Sequence, residues 1–266
     1  MSIADDILSK VLSPTAKTTA EIRATVPPQI RRRAFFSAQV EERRYLRMLH
    51  EVVADYSNGR INETAARTKL RECLAALGYD PATGGFEETG EAVAGIKDLS
   101  SFERIRLQVV TNRTMAVSAA NSNVLNEISI KNYPGWRLAR FGQRNEARPD
   151  WQERWDAAGE SVGWEGASRT AMIALVSSPI WQALGDGEGG YEDTLNNPFP
   201  PFAFNSGMGW FDAARAECIA AGLDPDEAEV PEKIDLAPSE GAIEDVAAAF
   251  GQDFADTLEF DLEDME

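Results

Sequence analysis

The chain is poor in the residues that most often carry chemistry. Its 266 residues include one histidine and two cysteines. A single imidazole excludes a multi-histidine metal site. A histidine-based triad would have to be built on His50, which lies in mid-helix beside Glu51, so no role is assigned to it. Cys73 and Cys218 are far apart in sequence and match no metal-ligand spacing, so both read as buried reduced thiols of an intracellular protein. No apolar run approaches the ~20 residues needed to span a bilayer. The opening "MSIADDILSK" lacks the basic and apolar regions of a signal peptide. The expectation is a soluble protein made in a cytoplasm.

Basic residues are scarce in one region only. Residues 1–80 carry 13 basic and 10 acidic side chains, whereas residues 181–266 offer Arg215 and Lys233 against 22 acids. The net charge of −18 therefore belongs to the last third. Such a block repels nucleic acid and solvates a tail or seeks a basic partner.

What is present is mostly helical periodicity. After Pro27-Pro28, the stretch from Gln29 to Ser57 places Ile30, Phe35 or Ala34, Ala38, Tyr45, Met48, Leu49, Val52, Val53 and Tyr56 at three- and four-residue steps. This predicts one long helix, stopped at Asn58-Gly59. A second helix follows, with Asn62 as N-cap, Ala65 or Ala66, Leu70, Leu74 and Leu77 inward, and Gly78 as the stop. "DPATGGFEETGEAVAG" reads as a linker, since its glycines lack the flanking strand, helix and Gly-Lys-Ser/Thr of a phosphate-binding turn. A third helix starts at Ser100 or Ser101 and carries Phe102, Ile105, Val109, Met115 and Ala116. Thr111, Asn112 and Arg113 interrupt its apolar pattern.

Beyond residue 130 the texture changes. "WRLARF" suits a half-buried strand with Trp136, Leu138 and Phe141 inward. "DWQERWDAAG" presents Trp151 and Trp155 four apart on a helical face. "GASRTAMIALV" reads as helix through Val176, followed after Ser178-Pro179 by a turn bearing Ile180, Trp181 and Leu184. In "NNPFPPFAFNSGMGW", three prolines and two glycines make a stiff aromatic hook, with Trp210 opening a helix that ends at Gly222. The hook reads equally well as a seal over the Trp151/Trp155 face and as an interface of pre-ordered aromatic anchors. As a ligand pocket it lacks convergent polar groups other than Asn205 and Ser206. Arg137, Arg140, Arg144, Arg148 and Arg154, interleaved with tryptophans, read as stacked ion pairs or as an anion clamp. Ser206-Gly207 lacks the G-x-S-x-G of a nucleophile elbow. One amphipathic segment, 242–258, lies inside the acidic end and could form a helix upon a partner.

The order of "AFFSAQV", "RIRLQVVTNRTMA", "YPGWRL", "RPDWQERW", "SPIWQALG" and "PFPPFAFNSGMGW" resembles minor head proteins of tailed phages and prophages, the Mu F-like head-morphogenesis family, over roughly residues 30–215. The resemblance implies a helical N-terminal region before a compact domain led by an R-x(n)-T-x-x-x-A helix and closed by a Pro-Pro segment. The family's His/Cys-bearing ending is missing, since Phe202 to Gly209 supply neither residue, so no metal or redox role carries over. The implied function is structural and non-enzymatic, without a cofactor: a virion component present in several copies at the portal vertex, acting in head assembly or DNA delivery. Portal or major capsid protein is the implied partner, with packaged DNA a further partner of the N-terminal basic helix. The alternatives are a head–tail connector or neck adaptor, and an ADP-ribosyltransferase-like enzyme, of whose Arg, Ser/Thr and Glu the "TNRT" helix offers only part.

The fold expected is mainly α with a small β element near 133–142, an α+β class. Its divisions are a helical arm over 1–80, a linker over 81–99, a compact core over 100–222 and an acidic tail over 223–266. The residues expected to meet a partner are Arg31, Arg32, Arg33, Arg43, Arg44 and Arg47 on the basic helix, and Phe199, Phe202, Phe204 and Trp210 on the hook.

Overall fold

The computed structural model describes residues 3–86, 92–141, 150–164, 166–204, 206–236 and 241–251. The chain is mainly helical with one small antiparallel sheet and a two-stranded parallel pair. It opens with helix α1 (Ile3–Leu8) and strand β1 (Val11–Leu12), then α2 (Thr19–Thr25), α3 (Pro28–Arg33) and strand β2 (Ala34–Phe35). Thr18 and Glu21 close a reciprocal capping box at the start of α2, and the Pro27-Pro28 pair sets up α3 with proline in its first turn. β1 and β2 pair in parallel, Val11 opposite Ala34 and Leu12 opposite Phe35.

The single helix expected over 29–57 is therefore two helices with a strand between them. α4 (Arg43–Ser57) begins only after residues 34–42 have crossed β1 and turned. Phe35 explains the break. Its ring is 1 % exposed and lies 4.5 Å from the ring of His50, a burial that helical continuation would not give it. α4 and α5 (Glu63–Ala76) form the hairpin that the periodicity predicts. The Asn62 side chain caps α5 by accepting from the Ala65 amide, and Ala66, Leu70 and Leu74 face inward. Gly59 and Gly78 take positive φ just past the two helices, where a side chain would be strained. With α6 (Phe102–Asn123), capped by the Ser101 hydroxyl, these helices bury Ile7, Tyr45, Leu46, Leu49, Val53, Ile105 and Val109 in one core.

Two titratable side chains, Lys10 and His50, are buried near α1. Lys10 is only 6 % exposed, and burial pushes its ammonium down to about 8 while Asp6 pulls the other way. His50 donates Nε2–H to the Ile7 carbonyl at 2.6 Å, and burial lowers its affinity for a second proton.

The rest of the chain alternates short helices and strands: α7 (Glu127–Asn132), β3 (Gly135–Arg140), α8 (Trp151–Ser161), β4 (Ile173–Leu175), α9 (Ile180–Asp186), β5 (Met208–Ala213) and α10 (Arg215–Ala220). The sheet order is β4-β3-β5, antiparallel throughout. Two expected helices are strands here. Residues 173–175 pair with β3, Ala174 opposite Trp136, and Trp210 sits inside β5 opposite Leu138. Both segments are held by a partner remote in sequence, which overrides their local helical spacing. On the core face of the sheet, Trp136 stacks on Trp210 with centroids 3.7 Å apart and planes 11° from parallel. Trp155, Trp181 and Phe202 complete this aromatic core.

The final element, α11 (Ala242–Phe250), makes part of the expected acidic tail an ordered part of the fold, as does segment 223–236, where Pro225 and Leu236 are buried. α11 packs with α2 and α3. The contacts divide the chain into two units, residues 1–116 with 235–266, and residues 117–234. This differs from the division expected from composition, because the acidic end returns to the N-terminal unit. Segment 252–266 lies outside the described residues, as do Arg144 and Arg148. Among the described residues no helix is long and apolar enough to cross a membrane.

Candidate partner-binding surfaces

The hook is built by backbone bonds before side chains matter. The Asn196 amide donates to the Gly185 carbonyl, Leu195 to Phe202, and Phe204 to Asp193, at 2.8, 2.8 and 2.9 Å. Gly185 permits the closest of these approaches, since a Cβ there would lie 1.9 Å from the Asn197 carbonyl oxygen. The Pro200–Pro201 peptide is cis. The buried Ser206 hydroxyl donates to the Pro201 carbonyl at 2.5 Å and accepts from the Met208 amide. It is a fastening of the turn, with its hydrogen-bonding capacity turned inward.

Phe199 and Phe202 have no exposed surface, and Phe202 lies 6.2 Å from Trp181 and 6.0 Å from Trp210. Of the two readings left open by the sequence, these rings take the seal. They face their own core and are not available to a partner. Phe204 and Trp210 are half-buried. Trp210 shares in the same stack, so of the four hook residues Phe202 and Trp210 belong to the aromatic core.

Arg154 ties the hook to α8. It is 7 % exposed, donates Nη1 and Nη2 to Asp193 at 2.8 and 3.3 Å and Nε to Asp150 at 2.8 Å. Its guanidinium lies 4.2 Å above the Tyr191 ring and 5.0 Å from that of Trp151. Burial works against its charge, but the bonds to Asp193 and Asp150 outweigh it and raise its pKa. Arg137 pairs with Glu217, and Arg140 reaches the Ser206 carbonyl at 3.3 Å. These arginines hold the fold rather than converging on an anion.

The six arginines expected to meet a partner do not form one stripe. Arg31, Arg32 and Arg33 lie half-buried on α3, with Arg33 paired to Asp235 at 3.5 Å. Arg43, Arg44 and Arg47 project from the first turns of α4 and are exposed. Glu42, the N-cap of α4, accepts from both the Arg44 amide and its guanidinium at 3.1 and 3.0 Å, which holds its carboxyl below the usual range. The Thr111–Arg113 stretch does not break α6. Asn112 bonds back to the Gln108 carbonyl at 2.8 Å, and Arg113 lies over the Tyr56 ring. Among the described residues no three His, Cys, Asp or Glu side chains gather as a metal-holding group.

One surface feature was not expected. Phe141, read as inward, is 55 % exposed and stacks on Phe211, itself 43 % exposed, with centroids 4.4 Å apart. The period of two contains the signal. If Trp136 and Leu138 face the core, Arg137, Ala139 and Phe141 belong to the other face. Phe211, opposite Arg137 on edge strand β5, adds the second ring. Exposed paired aromatics are what interfaces favour.

No protein-family model, curated protein or solved structure matches the chain.

Proposed function

We propose that the chain is a structural component of a tailed-phage virion, a minor head protein that joins the portal vertex in several copies and acts in head assembly or DNA delivery. One observation carries the reading beyond the order of motifs. The stretches that bear the resemblance from "YPGWRL" to "PFPPFAFNSGMGW" meet in a single core, through Trp136, Trp155, Trp181, Phe202 and Trp210. Separate motifs that serve one packed unit are what a shared domain requires. The Pro-Pro segment lies within that unit, followed there by β5 and α10.

On this reading the contact surfaces are the Phe141/Phe211 pair and the exposed arginines of α4, and the buried hook acts as scaffold. Co-expression with the portal and capsid proteins of the same genome, followed by size-exclusion chromatography and mass analysis, tests it. Co-elution in a fixed ratio is expected, and Phe141→Ser with Phe211→Ser should abolish it without unfolding the chain. A chain that elutes alone, indifferent to both proteins, refutes the virion reading.

A further inference from the structure

Helix α11 fills a socket that is separate from the main core of its unit. Ile22, Val26, Ile30 and Ala34 of the α2–α3 segment close around Val246, Ala247 and Phe250, while the α4–α5–α6 core lies elsewhere. The helix inserts Val246, Ala247 and Phe250, and Phe250 meets Phe36 with ring centroids 5.2 Å apart. Lys17 donates Nζ to the Ala249 carbonyl at 2.7 Å, placing a cation at the negative end of the helix. The first turn of α11 carries Glu244 and Asp245, and α3 carries three arginines. At nine residues α11 is too short to stay helical alone, so its order depends on docking.

We infer that the α2–α3 face is a docking surface for an acidic amphipathic helix, and that α11 of a second copy occupies it in exchange for the chain's own, linking copies through their C-terminal helices. The observed fit defines the occupant. The surface accepts apolar anchors at i, i+1 and i+4 and reads a helix C-terminus through Lys17; the same helix from another copy meets each requirement. Exchange keeps every contact of the closed form, so it costs little beyond the entropy of association. The socket is a satellite cluster, so it can open while the main core stays folded. The inference does not rest on the virion reading, and its test needs only this chain.

The experiment combines native-state hydrogen exchange, light scattering across a concentration series, and binding of a fluorescein-labelled peptide of residues 241–251. The α11 amides are expected to exchange ~100-fold faster than those of α4, through local opening. A dimer should appear as concentration rises and dissolve when the unlabelled peptide is added. Val246→Asp, which undocks the resident helix, should tighten peptide binding by ~10-fold or more by removing a tethered competitor. Ile30→Asp, which spoils the socket, should abolish it. A monomer at every concentration, α11 protection lost only with that of α4, or a folded Val246→Asp chain that ignores the peptide would each overturn the proposal. If Val246→Asp does not fold, exchange and scattering on the wild type decide.

Discussion

Lys10 offers a sharp test of how burial shapes this protein. Its ammonium is 6 % exposed and its pKa falls from 10.5 to about 8, chiefly through desolvation. At about 1.4 kcal/mol per pH unit, holding the charge there costs the folded state on the order of 3 kcal/mol near neutrality. Lys10→Met keeps the length of the side chain and removes the charge. It should stabilise the chain by up to about 3 kcal/mol at pH 7, less whatever Asp6 loses with its neighbour. The sign follows from linkage. A base with a depressed folded pKa holds its proton less tightly when folded, so the wild type gains stability from Lys10 as pH rises from about 8 to 10.5. The variant lacks that gain, and its advantage should shrink across this window and vanish near pH 11. Burial also raises the pKa of Cys73, Tyr79 and Cys218, which weakens both proteins in alkali. Those contributions are common to both chains and cancel in the difference. Urea unfolding of the two proteins from pH 6 to 11 measures it. An advantage independent of pH, or a variant less stable at pH 7, would refute the reasoning.

Phe202→Ala should cost about 3–5 kcal/mol, because the ring is fully buried between Trp181 and Trp210 and the stacked core cannot close the gap; thermal melting and near-ultraviolet dichroism would report it. Asp193→Ala leaves the buried Arg154 with Asp150 alone and should destabilise by roughly 3 kcal/mol, read by chemical denaturation, whereas a change within error would show that the pair only decorates the fold. Acid should weaken the N-terminal unit through His50: its folded pKa is depressed by burial, so stability present above about pH 6.5 is lost as pH falls below it. His50→Leu should flatten that acid limb, at the cost of the bond to the Ile7 carbonyl.

The parts of the fold legible in the sequence are those settled within a few residues. The α4–α5 hairpin follows from its apolar period, the Asn62 cap and the glycine stops, and β3 from its alternation. The parts decided by remote partners were hidden. Ala34 and Phe35 keep helical spacing, yet pairing with β1 and packing on His50 make them strand. Residues 173–175 and Trp210 read as helix until β3 is seen between them. α11 was visible as part of the amphipathic segment 242–258 inside the acidic end, but its docking on α2 and α3 of the same chain was not. At the candidate site, the proline-stiffened geometry of the hook was visible, but which way its rings point was not. Phe199 and Phe202 are identical in kind to interface anchors, and only their burial shows that they face inward.

The order in which the N-terminal unit is assembled has a consequence for synthesis. Its first 116 residues emerge long before α11, which follows the whole of residues 117–234. Between Ala34, at the edge of the socket, and Phe250, about 215 residues must be made, on the order of ten to forty seconds at ribosomal speed. Throughout that interval a nascent chain carries an open apolar groove, and on a polysome its neighbours carry the same groove a short distance away. Whichever α11 is finished first meets several vacant sockets, so the choice between closing on itself and closing on a neighbour is first made during translation.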